Sequence, residues 1–220
     1  QLGSDKGRKR AFKVFVFWSW WFRVLCLYGV KKVKKNPLPE APYIILANHA
    51  SYLDIFLMYS VLPYNPFLFL GKSELLSYPL IRAYFKRMNI PVFRRDRVKA
   101  ARSLIRASKE AKNGWSIMIF PEGGIPDGQA PQMIRFKDGA FKLAKSLKLS
   151  IVPVTFTNNY KLFSDPTEIL GRAHPGISRV YIHEAISAEK IEEMEVKDLR
   201  QYCYDIINGP ILEEHPHLKQ

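Results

Sequence analysis

Six short apolar runs, at residues 43–47, 67–70, 91–93, 116–120, 151–156 and 179–186, alternate along this chain with stretches of helical period. Runs of this length, rich in Ile, Val and Phe and bounded by Pro or Gly, read as buried strands. The stretches 98–112 and 138–147 read as helices. In the first, Val98, Ala101, Ile105 and Ser108 keep one face, and Leu104 and Ala111 widen it. Such alternation predicts an α/β fold: a single domain with a mixed, mostly parallel sheet flanked by helices. A chain of 220 residues, 47% of them hydrophobic, can bury one sizeable core. No internal repeat and no low-complexity linker divides it.

Open α/β sheets place their sites at the carboxyl ends of strands, so the residues that close each run carry the chemistry. The run 43–47 ends in Asn48-His49-Ala50-Ser51-Tyr52-Leu53-Asp54. On one continuous helix, His49 and Asp54 would lie well apart in angle, because facing neighbours are three or four residues apart. A strand–turn–helix junction instead puts His49 in the turn and Asp54 in the first helical turn, facing back. Asp54 could then bind one imidazole nitrogen while the other takes a proton. The same letters also spell a capping box, with Ser51 as N-cap and an acid three residues on.

The run 116–120 ends in Pro121-Glu122-Gly123-Gly124, which delivers a carboxylate and two glycines whose N–H groups could form an anion-binding nest. An ordinary turn explains those letters too. Between these motifs lie Gly71-Lys72-Ser73-Glu74-Leu75 and Asn89-Ile90-Pro91-Val92-Phe93-Arg94-Arg95-Asp96-Arg97, each basic at the end of an apolar stretch.

In this order the motifs resemble the glycerolipid acyltransferases of the 1-acylglycerol-3-phosphate O-acyltransferase type. The resemblance spans about residues 24–187: Asn-His-x4-Asp, an apolar stretch ending in Arg, Phe-Pro-Glu-Gly, then Ile151-Val152-Pro153-Val154. It implies that His49 is the general base and Asp54 orients it. It also implies substrate-binding roles at Arg95, with Arg94 and Lys72 as further cations, and at Glu122, Gly123 and Gly124. The expected reaction moves a fatty acyl group from acyl-CoA or acyl carrier protein to a lysophospholipid, with 1-acylglycerol 3-phosphate as the leading acceptor and no cofactor. Two departures bear on the acceptor. Gly124-Ile125-Pro126 replaces the usual Thr-Arg-Ser, and Asn89 stands where the second motif has glycine.

The chemistry fits the residue types. A thioester is already activated, so no Ser or Cys nucleophile is needed. The acceptor hydroxyl needs only a base, and histidine has an ordinary pKa near ~6.5. No Gly-x-Ser-x-Gly elbow occurs. Gly71-Lys72-Ser73 lacks the upstream glycine of a P-loop, Pro66 standing there. No zinc-like His pairing occurs either, and His215-Pro216-His217 reads as a solvated tail.

Residues 12–30 carry Phe15, Phe17, Trp18, Trp20, Trp21, Phe22, Leu25, Leu27 and Tyr28, bracketed by Lys6, Arg8, Lys9, Arg10 and by Lys31, Lys32, Lys34, Lys35. Arg23 interrupts the run, which is marginal against the ~20 residues of a spanning helix. Trp and Tyr favour the headgroup level, so a membrane-interfacial helix over 1–30, ahead of an acyltransferase domain over 31–220, is expected. A buried core helix is the competing reading. A further hydrophobic helix could precede Gln1. The net charge of +14 and pI near 9.8 call for an anionic partner. Anionic headgroups suit the lysines beside the aromatic segment, and an acidic acyl carrier protein is a second candidate. Nucleic acid gives no reason for the His49–Asp54 pair and is not expected. Cys26 and Cys203, far apart and in no motif, suit a reducing compartment, hence the cytoplasmic face of a membrane.

Overall fold

Strands β1 (Tyr28–Lys35), β2 (Ile44–Ala47), β3 (Phe67–Lys72), β4 (Ile90–Val92), β5 (Ser116–Ile119), β6 (Ile151–Phe156) and β7 (Gly176–Ile182) make one sheet in the order β1-β7-β6-β2-β5-β3-β4. The computed structural model describes residues 4–77, 79–93, 96–126, 130–163 and 173–218. Every neighbouring pair is parallel except β6 with β7. The helices are α1 (Asp5–Leu25), α2 (Leu53–Val61), α3 (Pro79–Met88), α4 (Arg97–Lys112), α5 (Gly139–Leu147), α6 (Asn159–Leu162), α7 (Ala188–Glu193) and α8 (Val196–Glu214).

Crossover handedness explains the layering. From β2 the chain passes over β5 to β3 and out to β4, then returns through α4 to β5 and through α5 to β6. Right-handed connections put crossovers that move one way on one face and those that return on the other. Accordingly α1, α2 and α6 pack together, while α5 touches α4, α7 and α8. β2, β5 and the first half of β3 are buried on both faces, as the continuous apolar runs required.

Expected and observed strands coincide except at the far edge. β7 covers Gly176–Ile182 rather than 179–186 and runs antiparallel to β6, with Ile186 forming only a single bridge to Ile151. β1 was not foreseen. Lys31, Lys32, Lys34 and Lys35, read as the charged flank of a helix, lie on this edge strand, paired in parallel with β7. α1 stops at Leu25, and Leu27 takes φ 55° to turn the chain into β1, so the boundary expected at residue 30 falls inside the sheet. An edge strand exposing lysines shows no apolar alternation and is protected from stray pairing by that charge.

α1 combines the two readings of its sequence. Ser4 caps it, its Oγ accepting the Gly7 N–H at 3.1 Å. One face docks: Phe12 is 2% exposed and meets Phe67 edge-on at 5.2 Å, Ser19 Oγ donates to Phe56 O at 2.7 Å, and Phe22 stacks on Phe56. Asp5 accepts the Trp115 indole N–H, and Arg8 pairs with Glu110 at 2.8 Å. The other face leaves Phe17, Trp18, Trp20, Trp21, Val24 and Leu25 exposed. Among the described residues no helix is long and apolar enough to cross a membrane.

His215, expected in a solvated tail, is buried against Thr157 O at 3.4 Å, while His217 is exposed. α8 carries it there by folding back over β6, a contact no local pattern announces.

Candidate active site

β2 and β5 lie side by side, so the two motifs that end them, some 70 residues apart in sequence, meet at one sheet edge. His49 leaves β2 in a turn. Its Nδ1 lies 3.0 Å from Asp54 Oδ2, and a carboxylate only accepts, so Nδ1 carries the proton. The lone pair then sits on Nε2, which makes no hydrogen bond with any described residue. The imidazole stacks on Phe120 at 4.0 Å and 14°, which fixes the ring plane against an apolar wall.

The catalytic and capping readings of Asp54 both describe the same carboxylate. Oδ2 also accepts the Ala50 and Ser51 N–H groups at 2.9 Å each. Ser51 is not the formal N-cap. Tyr52 holds that position in helical conformation, and Ser51 Oγ donates to Phe163 O at 2.7 Å while accepting the Leu53 N–H. Asp54 is fully buried, and its Oδ1 is held by Asn159 Nδ2 at 2.7 Å.

Glu122 stands beneath the histidine turn. Expected to bind substrate, it is 2% exposed, and its oxygens take the backbone N–H of His49 (2.8 Å) and of Ile134 (3.2 Å). Its carboxyl is raised to about 7, chiefly by burial and in smaller part by the nearby Asp54 carboxylate, against the downward pull of the two N–H donors. Glu122 thus ties the end of β5 to the turn that holds His49. Asn48 clamps the other side, exchanging paired bonds of 2.8 Å with the Phe156 backbone of β6.

The glycines do not form the expected nest. Gly123 takes φ +86°, but its N–H closes a turn onto Phe120 O, so it is not offered to an anion. A Cβ there would meet Lys137 Nζ at 2.8 Å, so the glycine leaves room for that side chain. At Gly124 a Cβ would meet nothing within 4 Å. Lys72 is exposed at the end of β3. Arg94 and Arg95 lie outside the described residues. Asn89, at the family's glycine position, is buried and accepts the Phe69 N–H at 2.9 Å, so it braces β3. Asn159 and Lys137 were not foreseen. Asn159 follows the Ile-Val-Pro-Val strand closely enough that its place beside β2 could have been read from the strand order.

A family model described as Acyltransferase matches residues 29–157, from the second residue of β1 to just past β6, with both motifs inside. The chain belongs to this acyltransferase family. A candidate 1-acyl-sn-glycerol-3-phosphate acyltransferase of Caenorhabditis elegans is 30% identical over 93% of this chain and 70% of its own length. The 1-acyl-sn-glycerol-3-phosphate acyltransferase of Saccharomyces cerevisiae is 29% identical over 84% of this chain and 63% of its own. The chain therefore spans about two thirds of these relatives. The crystal structure of the 1-acyl-sn-glycerophosphate acyltransferase PlsC of Thermotoga maritima superposes with a TM-score of 0.73, at 25% identity, covering 95% of this chain and 81% of that one.

Proposed function

We propose that this acyltransferase moves a fatty acyl group from acyl-CoA or acyl carrier protein to the free hydroxyl of 1-acylglycerol 3-phosphate, giving phosphatidic acid. The 3.0 Å His49–Asp54 contact, with Nε2 left as the free base, carries the reading. Nε2 takes the hydroxyl proton as the oxygen attacks the thioester carbonyl. Asp54 stabilises the imidazolium that forms. The tetrahedral intermediate then collapses, the C–S bond breaks, and the departing sulfur receives the proton from Nε2. Glu122 and Asn48 hold the turn in place rather than touching substrate. Arg95, with Arg94 and Lys72, supplies positive charge for the acceptor phosphate.

The exposed face of α1 rests on an anionic membrane surface, where the acceptor resides. Phe17, Trp20 and Trp21 touch one another there, with centroids 5.3–6.3 Å apart. Large contiguous apolar surface in water marks an interaction site, and the lysines of β1 add attraction for anionic headgroups. The working site is the cytoplasmic face.

The test is a panel of lysolipids assayed with both donor types, for the wild type and His49→Ala. His49→Ala is expected to fold normally and lose about 10²–10⁴-fold in turnover. Near-normal turnover in a folded His49→Ala sample refutes the mechanism. Activity confined to neutral or zwitterionic lysolipids refutes the phosphate acceptor while keeping the reaction.

A further inference from the structure

We propose that Asn159 is a positioning residue for acyl transfer, fixing the plane of the Asp54 carboxylate and through it the ring of His49; this rests on His49 being the base. Asn159 is fully buried at the start of α6, three residues beyond the end of β6. Its Nδ2 donates to Asp54 Oδ1 at 2.7 Å and is the partner that oxygen has among the described residues. Everything else on the carboxylate, two backbone N–H groups and His49 Nδ1, converges on Oδ2. Without the Oδ1 contact the carboxylate could turn about its Cβ–Cγ bond, and Oδ2 would leave the imidazole.

The amide's own bonding shows which contact sets its orientation. Asn159 Oδ1 is buried with no hydrogen-bond partner among the described residues. Turning the amide over would set that oxygen against Asp54 Oδ1, two acceptors with no proton between them. The amide therefore leaves its acceptor unmatched to keep its donor on the aspartate. A side chain placed only to complete the core would not be held this way, since a buried acceptor without a partner is unfavourable. The end of β6 and the start of α6 thus grip the histidine turn twice, at Asn48 through Phe156 and at Asp54 through Asn159.

Asn159→Leu keeps the branched shape, with bulkier methyls in place of the amide, and removes both the donor and the unmatched oxygen. Asn159→Ala removes the donor with no added bulk, covering the case in which the leucine variant fails to fold. In either variant kcat is expected to fall about 10- to 100-fold, with KM for donor and acceptor within about twofold. With Oδ2 turned away from the ring the imidazolium loses its carboxylate partner, so the base is free at lower pH and the acid limb of the kcat/KM profile should move down by about half a pH unit or more. A purely structural role would change thermal unfolding but leave that limb in place. If a folded variant keeps both kcat and the acid limb of the wild type, while His49→Ala is inactive, the role of Asn159 is refuted and the histidine mechanism stands. If His49→Ala is itself active, the mechanism has failed and the role of Asn159 falls with it.

Discussion

Asp54→Asn separates holding the turn from holding a charge. Oδ2 collects three donors, so an asparagine at 54 keeps its oxygen there and turns its amide NH2 toward Asn159. Asn159 can rotate to meet it, because its Oδ1 has no partner among the described residues. The three donors on Oδ2 then keep an acceptor, and Asn159 exchanges an unmatched oxygen for an unmatched NH2. The cost is the difference between charge-assisted and neutral bonds, about 1 kcal/mol each. It is offset in part because no charge remains to be kept out of water. A net loss of about 1–2 kcal/mol against a total of ~5–15 leaves the protein folded. Catalysis has no such compensation, since a neutral amide does little for the imidazolium formed when Nε2 takes a proton. The expected loss is ~10²–10⁴ in kcat, or about 2.7–5.4 kcal/mol of barrier. Asp54→Ala would not make this separation, because it strands four donors at about 1–3 kcal/mol each. The assay pairs thermal unfolding with steady-state transfer, at saturating donor and acceptor. A variant that melts like the wild type and keeps kcat within about threefold would mean that Asp54 only caps α2, and the reasoning would be wrong.

Glu122 makes stability depend on pH. Its folded carboxyl titrates at about 7 against a reference of 4.5, so the folded chain keeps a proton that the unfolded chain loses. Stability should therefore be higher below this window and fall by about 3 kcal/mol as pH rises from roughly 4.5 to 7; denaturant titrations at pH 5 and 7.5 should show that Glu122→Gln flattens the slope, and an unchanged slope would assign it to other groups. Changing Trp18, Trp20 and Trp21 to Ser should leave the fold intact, since all three are 40–62% exposed, yet release the protein from anionic vesicles in flotation. Salt alone should weaken the wild-type contact only in part, and unchanged flotation of the triple variant would place the membrane contact elsewhere. Arg95→Ala should remove a charge-assisted contact of ~1.5–3 kcal/mol, read as a 10- to 100-fold fall in kcat/KM for a phosphate acceptor with donor KM little changed. If Arg94→Ala and Arg95→Ala both leave the kinetics untouched, a neutral or zwitterionic lysolipid becomes the better acceptor.

The sequence by itself determined the parts whose physics is local. The apolar runs of β2, β3, β5 and β6 are long enough to be strands and too uniformly apolar to face water. The helical period marked α4 and α5 as helices, but in α4 the face expected to be apolar turns outward: Val98 and Ile105 are exposed, while Ser103, Ala107 and Ala111 are buried. The junction that turns His49 back toward Asp54 needs only a strand, a tight turn and the first turn of a helix, so it too could be read from seven letters. Tertiary structure decided what depends on contacts between distant segments. β1 is recognisable only through its pairing with β7, since a lysine-rich edge has no apolar alternation to read. The expected anion nest dissolved because the Gly123 N–H was taken by Phe120 O, and Glu122 turned from a substrate contact into a brace because its oxygens met backbone donors of two other segments. Asn159 stands over 100 residues from Asp54, and the order β6-β2-β5 alone brings the two to 2.7 Å. Periodicity records how much surface a residue must hide, whereas a buried polar group's role is set by which donor or acceptor folding places opposite it.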